Sequence, residues 1–184
     1  MKYLILGTLT VLTTSLCLTA TIARSDMNSN SPSTPVNPPA QVPSKPIVTA
    51  PPVMLNNLEL AIYNRVNQYR QTLDLPPLEI DPIISVQAKI HSQEMAQTGN
   101  LSHDGFKERV ESFARVIPYR NAGENVATCL GFSSPDEVVM KGWIESEGHH
   151  RNMIGRYDLT GIGVVRNAKG EYYFTQIFVR QRSK

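Results

Sequence analysis

Leu55, Leu58, Ile62, Val66, Tyr69 and Leu73 recur at three- and four-residue steps, with Asn, Gln and Arg between them. That period predicts an amphipathic helix with one face toward a core. Leu75-Pro76-Pro77 stops it, and Asp81-Pro82 then offers a capping carboxylate and a first-turn proline for a second helix, closed by Gly99. On that helix Ile84, Ala88, His91 and Met95 share a face, so His91 reads as a core or boundary histidine rather than a ligand. Ser134-Pro135-Asp136-Glu137 has the form of a capping box with proline at the first helical position, and Val138, Val139, Gly142, Trp143 and Ser146 follow at helical spacing. This third helix is predicted to end near Gly148. Thr160–Val165 and Glu171–Val179 flank Asn167-Ala168-Lys169-Gly170, a turn between two strands that should pair as a hairpin. In the second strand Tyr172, Phe174 and Phe178 alternate with Tyr173, Ile177 and Val179. Both faces are apolar, which predicts a sheet covered by helices on both sides.

Before residue 54 this patterning is absent. Residues 1–23 hold one lysine, a long apolar and threonine-rich run, and small residues at Ala20 and Ala23. They read as an export signal. The uncharged run from Tyr3 to Ala23 is also near the length that spans a bilayer, so an uncleaved N-terminal anchor stays open as the alternative. Cys17 follows Leu16, where lipid attachment would need a small residue, which argues against a lipoprotein. Residues 24–53 carry eight prolines between Pro32 and Pro52 among Ser, Thr and Asn and form a disordered linker, as a spacer or a plain tail. The domain is 54–184.

The chain has 18 Lys+Arg against 16 Asp+Glu, and three of the basic residues but only one of the acidic ones precede residue 54. The domain is therefore neutral and has no Lys/Arg-rich run, which sets nucleic-acid binding aside. Without the signal, Cys129 is the last cysteine left and no intrachain disulfide can form. Stability must come from the core.

Four polar stretches resist assignment to core or surface: Ser102–Phe106, Gly123–Asn125, Trp143–Ser146 and Gly148–Asn152. They hold three of the four histidines. Imidazole and carboxylate together can bind a divalent metal, but the histidines and Glu124 are separated by 20 residues and more, or are adjacent, and no short-range metal motif is present. Each stretch also has a plain structural role: a turn at Asp104-Gly105, a loop clamped by Glu124, a helix end stabilised by His149 and Arg151.

Taken in order, Ser102-His103-Asp104-Gly105-Phe106, Gly123-Glu124-Asn125-Val126-Ala127, Trp143 with Ser146-Glu147-Gly148-His149, Asn152-Met153 and Tyr172–Phe178 resemble the CAP superfamily of cysteine-rich secretory, antigen 5 and pathogenesis-related 1 proteins, in its bacterial branch. The resemblance runs from about Leu55 to Val179. It implies an α+β fold, a three-layer α-β-α sandwich, with a cleft lined by two histidines and two glutamates. His103 and Glu124 match that pattern. Ser146 stands where plant and animal members have the second glutamate, with Glu145 one position early, and Tyr173 stands where they have the second histidine. His149 matches the Gly-His sequence of bacterial members. The resemblance thus implies a ligand-binding cleft of His103, Glu124, His149, Tyr173, Glu145 and Ser146. His103, Glu124 and His149 are its candidate ligands for a weakly held divalent metal, Zn or Mg, with no cofactor required. Two functions follow: a secreted, periplasmic or cell-surface module binding a lipid, an envelope component or a protein, or a protease-like hydrolase in which His103 and Glu124 activate water, with or without a divalent metal.

Overall fold

The computed structural model describes residues 2–12 and 55–182. The remainder of the leader and the linker at 24–53 lie outside the described residues. Along the chain come strand β1 (Lys2–Leu12), helix α1 (Asn57–Gln71), the short strand β2 (Glu79–Ile80), helices α2 (Pro82–Thr98) and α3 (Phe106–Phe113) and strand β3 (Tyr119–Leu130). Helices α4 (Pro135–Glu145) and α5 (Glu147–Met153) and strands β4 (Leu159–Arg166) and β5 (Tyr172–Gln181) complete it. The sheet has the order β1-β3-β5-β4-β2, antiparallel throughout except where β2 runs parallel to β4.

The alternation predicted for the second hairpin strand is present in β5. Phe174 and Phe178 pack with Ile62 and Val66 of α1, Val139 and Trp143 of α4 and Met153 of α5. Ile177 and Val179 pack on the other face with Ile84 and Ala88 of α2 and Phe106, Val110 and Phe113 of α3. The fold is the three-layer α-β-α sandwich. Each large aliphatic or aromatic side chain moved from water into these layers contributes about 1.5–3 kcal/mol. Helix α2 lies especially close to the sheet because β4 presents glycines to it. A Cβ on Gly161 would stand 2.3 Å from the Ser85 backbone nitrogen, and one on Gly163 would stand 2.4 Å from the Lys89 nitrogen.

Helix α1 starts at a complete capping box in which Asn56 receives the Glu59 backbone N–H and Glu59 Oε2 receives that of Asn56. Glu59 is buried, and its Oε1 also accepts Val164 N–H at 2.9 Å and Lys89 Nζ at 2.6 Å. One carboxylate therefore joins α1, β4 and α2. Helix α2 has the Asp81 cap and the left-handed Gly99 (φ 72°) that its sequence predicts. His91 is buried within it, as its place in the apolar stripe suggests, with Nε2 2.8 Å from the Ser102 carbonyl.

Several elements differ from the sequence reading. Ser134 makes no side-chain cap, and Asp136 and Glu137 instead bind Arg65 of α1 at 2.7 and 2.8 Å. The helix expected to run to Gly148 breaks at Ser146, whose extended backbone ends α4 and starts α5. Arg70, on the face read as polar, is buried, and its guanidinium binds the carbonyls of Pro76, Met153 and Gly155. Burial lowers its affinity for its proton. The stretch around Glu124, read as a loop, is the twelve-residue strand β3. Apart from these differences, Lys2–Leu12, within the segment read as an export signal, pairs antiparallel with β3.

Cys129 is buried on β3, and burial, helped by the charge of Asp136, pushes its thiol up to about 11. A thiol raised in this way stays protonated at physiological pH and is a poor nucleophile. In native protein Cys129 should resist iodoacetamide at about pH 8 and be labelled only once denatured, read by mass spectrometry of its peptide so that Cys17 does not enter.

Candidate functional site

The site begins with a loop hung between two helices. The α2 residue His91 holds the Ser102 carbonyl, Ser102 Oγ accepts the Asp104 N–H at 3.3 Å, and Gly105 (φ 72°) reverses the chain into α3. His103 thereby projects toward β3, where its Nδ1 lies 2.8 Å from Glu124 Oε1. The two residues, 21 positions apart in sequence, form one pair.

A third member was missed by sequence reasoning. Arg109 of α3 is 7% exposed and clasps the fully buried Glu124 carboxylate, with Nη2 2.9 Å from Oε1 and 2.8 Å from Oε2 and Nε 3.2 Å from Oε2. Its Nη1 donates to the Asp104 carbonyl at 2.6 Å, fixing the His103 loop from the other side. The signal was available in the spacing: Phe106, Val110 and Phe113 form an apolar stripe, and Arg109 lies within it. A charge on the buried face of a short helix calls for a buried partner.

Chemically, Glu124 is saturated. Both oxygens receive the guanidinium, and one also receives His103, so the carboxylate is an orienting anion. By accepting from His103 Nδ1 it sets the tautomer of the ring and makes Nε2 the basic nitrogen; the His103 side chain is 14% exposed. Arg109 supplies the positive charge that a divalent ion would supply to Glu124. Among the described residues no three His, Cys, Asp or Glu side chains gather closely enough to hold a metal ion.

The other residues singled out by the resemblance are divided by the sheet. Successive side chains of a strand point to opposite faces, so Glu124 faces α3 while Asn125 faces α5. Asn125 Nδ2 donates to the His149 carbonyl at 3.2 Å, and Asn152 Nδ2 donates to Asn125 Oδ1 at 3.0 Å and to the Glu124 carbonyl at 3.2 Å. His149 is 1% exposed, stacks on Trp143 and has Nδ1 2.7 Å from Ser146 Oγ. His149 and Ser146 are thus together, but apart from His103. Glu145 is an exposed residue at the end of α4 facing Lys141. Tyr173 shares the Glu124 face but sits opposite Thr128, whereas Ile177 sits opposite Glu124. Four residues of strand separate them, roughly 13 Å. The Tyr173 hydroxyl donates to Glu171 at 3.3 Å, and burial, with the charge of Glu171, raises its affinity for its proton.

The model of the cysteine-rich secretory protein family, CAP, matches residues 63–178. The protein YkwD of Bacillus subtilis (strain 168) is 31% identical over 147 residues, covering 77% of this chain, and the chain spans about half, 54%, of that relative. Among solved structures, an outer surface protein from Borrelia burgdorferi superposes with a TM-score of 0.61 at 18% identity, over 71% of this chain and 97% of that one. An extracellular protein containing a SCP domain from Bacillus anthracis str. Ames superposes with a TM-score of 0.57 at 26% identity, over 67% of this chain and 40% of that one. With the sandwich in place and the motif residues His103 and the buried Glu124 joined between α3 and β3, the chain belongs to the cysteine-rich secretory protein (CAP) family of bacteria.

Proposed function

We propose that this protein is an exported binding module and that His103, oriented by Glu124 and Arg109, is the polar anchor of its ligand site. The observation that carries this reading is the saturation of Glu124. A carboxylate clasped through both oxygens by a buried guanidinium has its lone pairs taken up and little left to offer water or a metal ion, yet it fixes the ring that meets a ligand. The bound partner would be a lipid, an envelope component or a protein, recognised outside the cytoplasm. The apolar run at the N-terminus and the extracellular description of the Bacillus anthracis relative support export.

Hydrolysis is the second reading, favoured by the carboxylate-oriented imidazole alone, since that arrangement also serves general acid–base catalysis. In it His103 takes a proton from water and Glu124 holds the resulting imidazolium. The two readings separate in one set of measurements with the exported protein: calorimetric titration with phospholipid vesicles, a long-chain fatty acid, purified envelope glycan, Zn²⁺ and Mg²⁺, beside turnover assays with peptide and ester substrates. Binding of one of the organic probes, lost in His103→Ala without turnover, is the expected result. Turnover that disappears in His103→Ala would establish the hydrolase instead. His103→Ala should cost no more than about 1 kcal/mol of stability, since Glu124 keeps its guanidinium partner.

A further inference from the structure

The outer edge of β3 is a long, regular row of backbone donors and acceptors with none of the usual protection against pairing. From Asn121 to Leu130 the strand contains no Lys, Arg or Pro, and its one charged residue, Glu124, turns inward to Arg109. Natural sheets blunt exposed edges with charges, prolines or bulges; this edge is instead covered by the chain itself. Lys2–Leu6 pair with Leu130–Val126 and Leu9–Leu12 pair with Glu124–Asn121, with the register shifting between Leu6 and Leu9. The covering segment is the same one whose sequence reads as an export signal. If export removes it, nine paired positions are lost and the edge stands open beside the His103–Glu124 pair.

We propose that the outer edge of β3 is a docking site for an extended peptide strand, closed in the full chain by residues 2–12 and opened when the leader is removed. The occupant is an uncharged peptide segment rich in β-branched and aliphatic residues, laid antiparallel as an added strand. Its chemistry is read from two sides. The segment seated there, Tyr3–Leu12, has no charge, and the strand that receives it offers Asn, Ala, Gly, Val and Thr around a neutralised glutamate. Main-chain hydrogen bonds supply affinity in this mode of recognition, and alternate side chains supply selectivity. Such a peptide passes Glu124 at the position Leu9 holds, so it lies alongside the pair assigned above to ligand binding.

The proposal rests on the reading that the protein is exported and processed, and the two fail differently. The exported protein is purified, its N-terminal residue is read by mass spectrometry, and it is compared with full chain retained in the cytoplasm. The probe is a synthetic peptide of residues 2–12 with added terminal lysines for solubility. The processed chain should start near Arg24 or Ser25, bind the probe and slow amide exchange over Ala122–Cys129 by about tenfold or more, whereas the full chain should not bind it. Methylating the probe's backbone nitrogens at one alternate set of residues should abolish binding, and methylating the other set should spare it, because a strand pairs along one edge. A leader that remains on the exported protein overturns its removal and the open edge together and leaves export standing, whereas failure to find the protein outside the cytoplasm overturns the export reading. A processed chain that ignores the probe, binds both methylated sets equally, or already protects β3 by dimerising in light scattering overturns the peptide site alone.

Discussion

Arg109→Met should destabilise the domain by about 3–5 kcal/mol, because it strands the Glu124 carboxylate in a fully buried position with only His103 beside it. Small domains have total stabilities of about 5–15 kcal/mol, so much of the variant would be unfolded at moderate urea concentrations. The control is the double variant Arg109→Met/Glu124→Gln. Removing the charge along with its partner should recover more than half of the loss in urea titrations, since the cost comes from an uncompensated buried ion. A double variant no more stable than Arg109→Met would show that Arg109 acts through packing and through its bond to the Asp104 carbonyl.

The second large effect is steric. Gly161→Ala adds a methyl group where the α2 backbone already stands, with a Cβ 2.3 Å from both the Ile84 carbonyl carbon and the Ser85 nitrogen. Backbone cannot turn aside as a side chain does, so helix and strand must separate, at a cost of about 3 kcal/mol or more. Thermal denaturation followed by circular dichroism checks this. Gly99→Ala is the useful comparison, because nothing lies within 4 Å of a Cβ there and only the positive φ opposes the change. Its loss should stay near about 1–2 kcal/mol.

What could be read from sequence followed local periodicity. Helices α1 and α2 and the β4–β5 hairpin announce themselves through spacing, caps and a turn, and the structure has them there, except that Leu55 and Leu73, read as the ends of the first helix's apolar stripe, lie outside α1 and Leu73 is exposed. Strand β3 did not, because Gly123-Glu124-Asn125 interrupts the hydrophobic alternation with residues whose partners lie elsewhere: Arg109 for one face, His149 and Asn152 for the other. The break at Ser146 was equally invisible, since the bond from Ser146 to His149 is a side-chain exchange that helical spacing does not encode. For the site, the motif order joined His103 to Glu124 across 21 residues. That resemblance could not say that a guanidinium meets the glutamate or that the sheet separates His149 from His103. Both depend on which way each strand residue faces.

Strand β5, the last element in sequence, occupies an interior place in the sheet, between β3 and β4. Without it β3 has no neighbour on its inner side, β4 keeps only the two-residue β2 beside it, and neither layer of helices has a complete surface to cover. A nascent chain emerging N-terminus first therefore cannot assemble the core of this domain until residues 172–181 have been made.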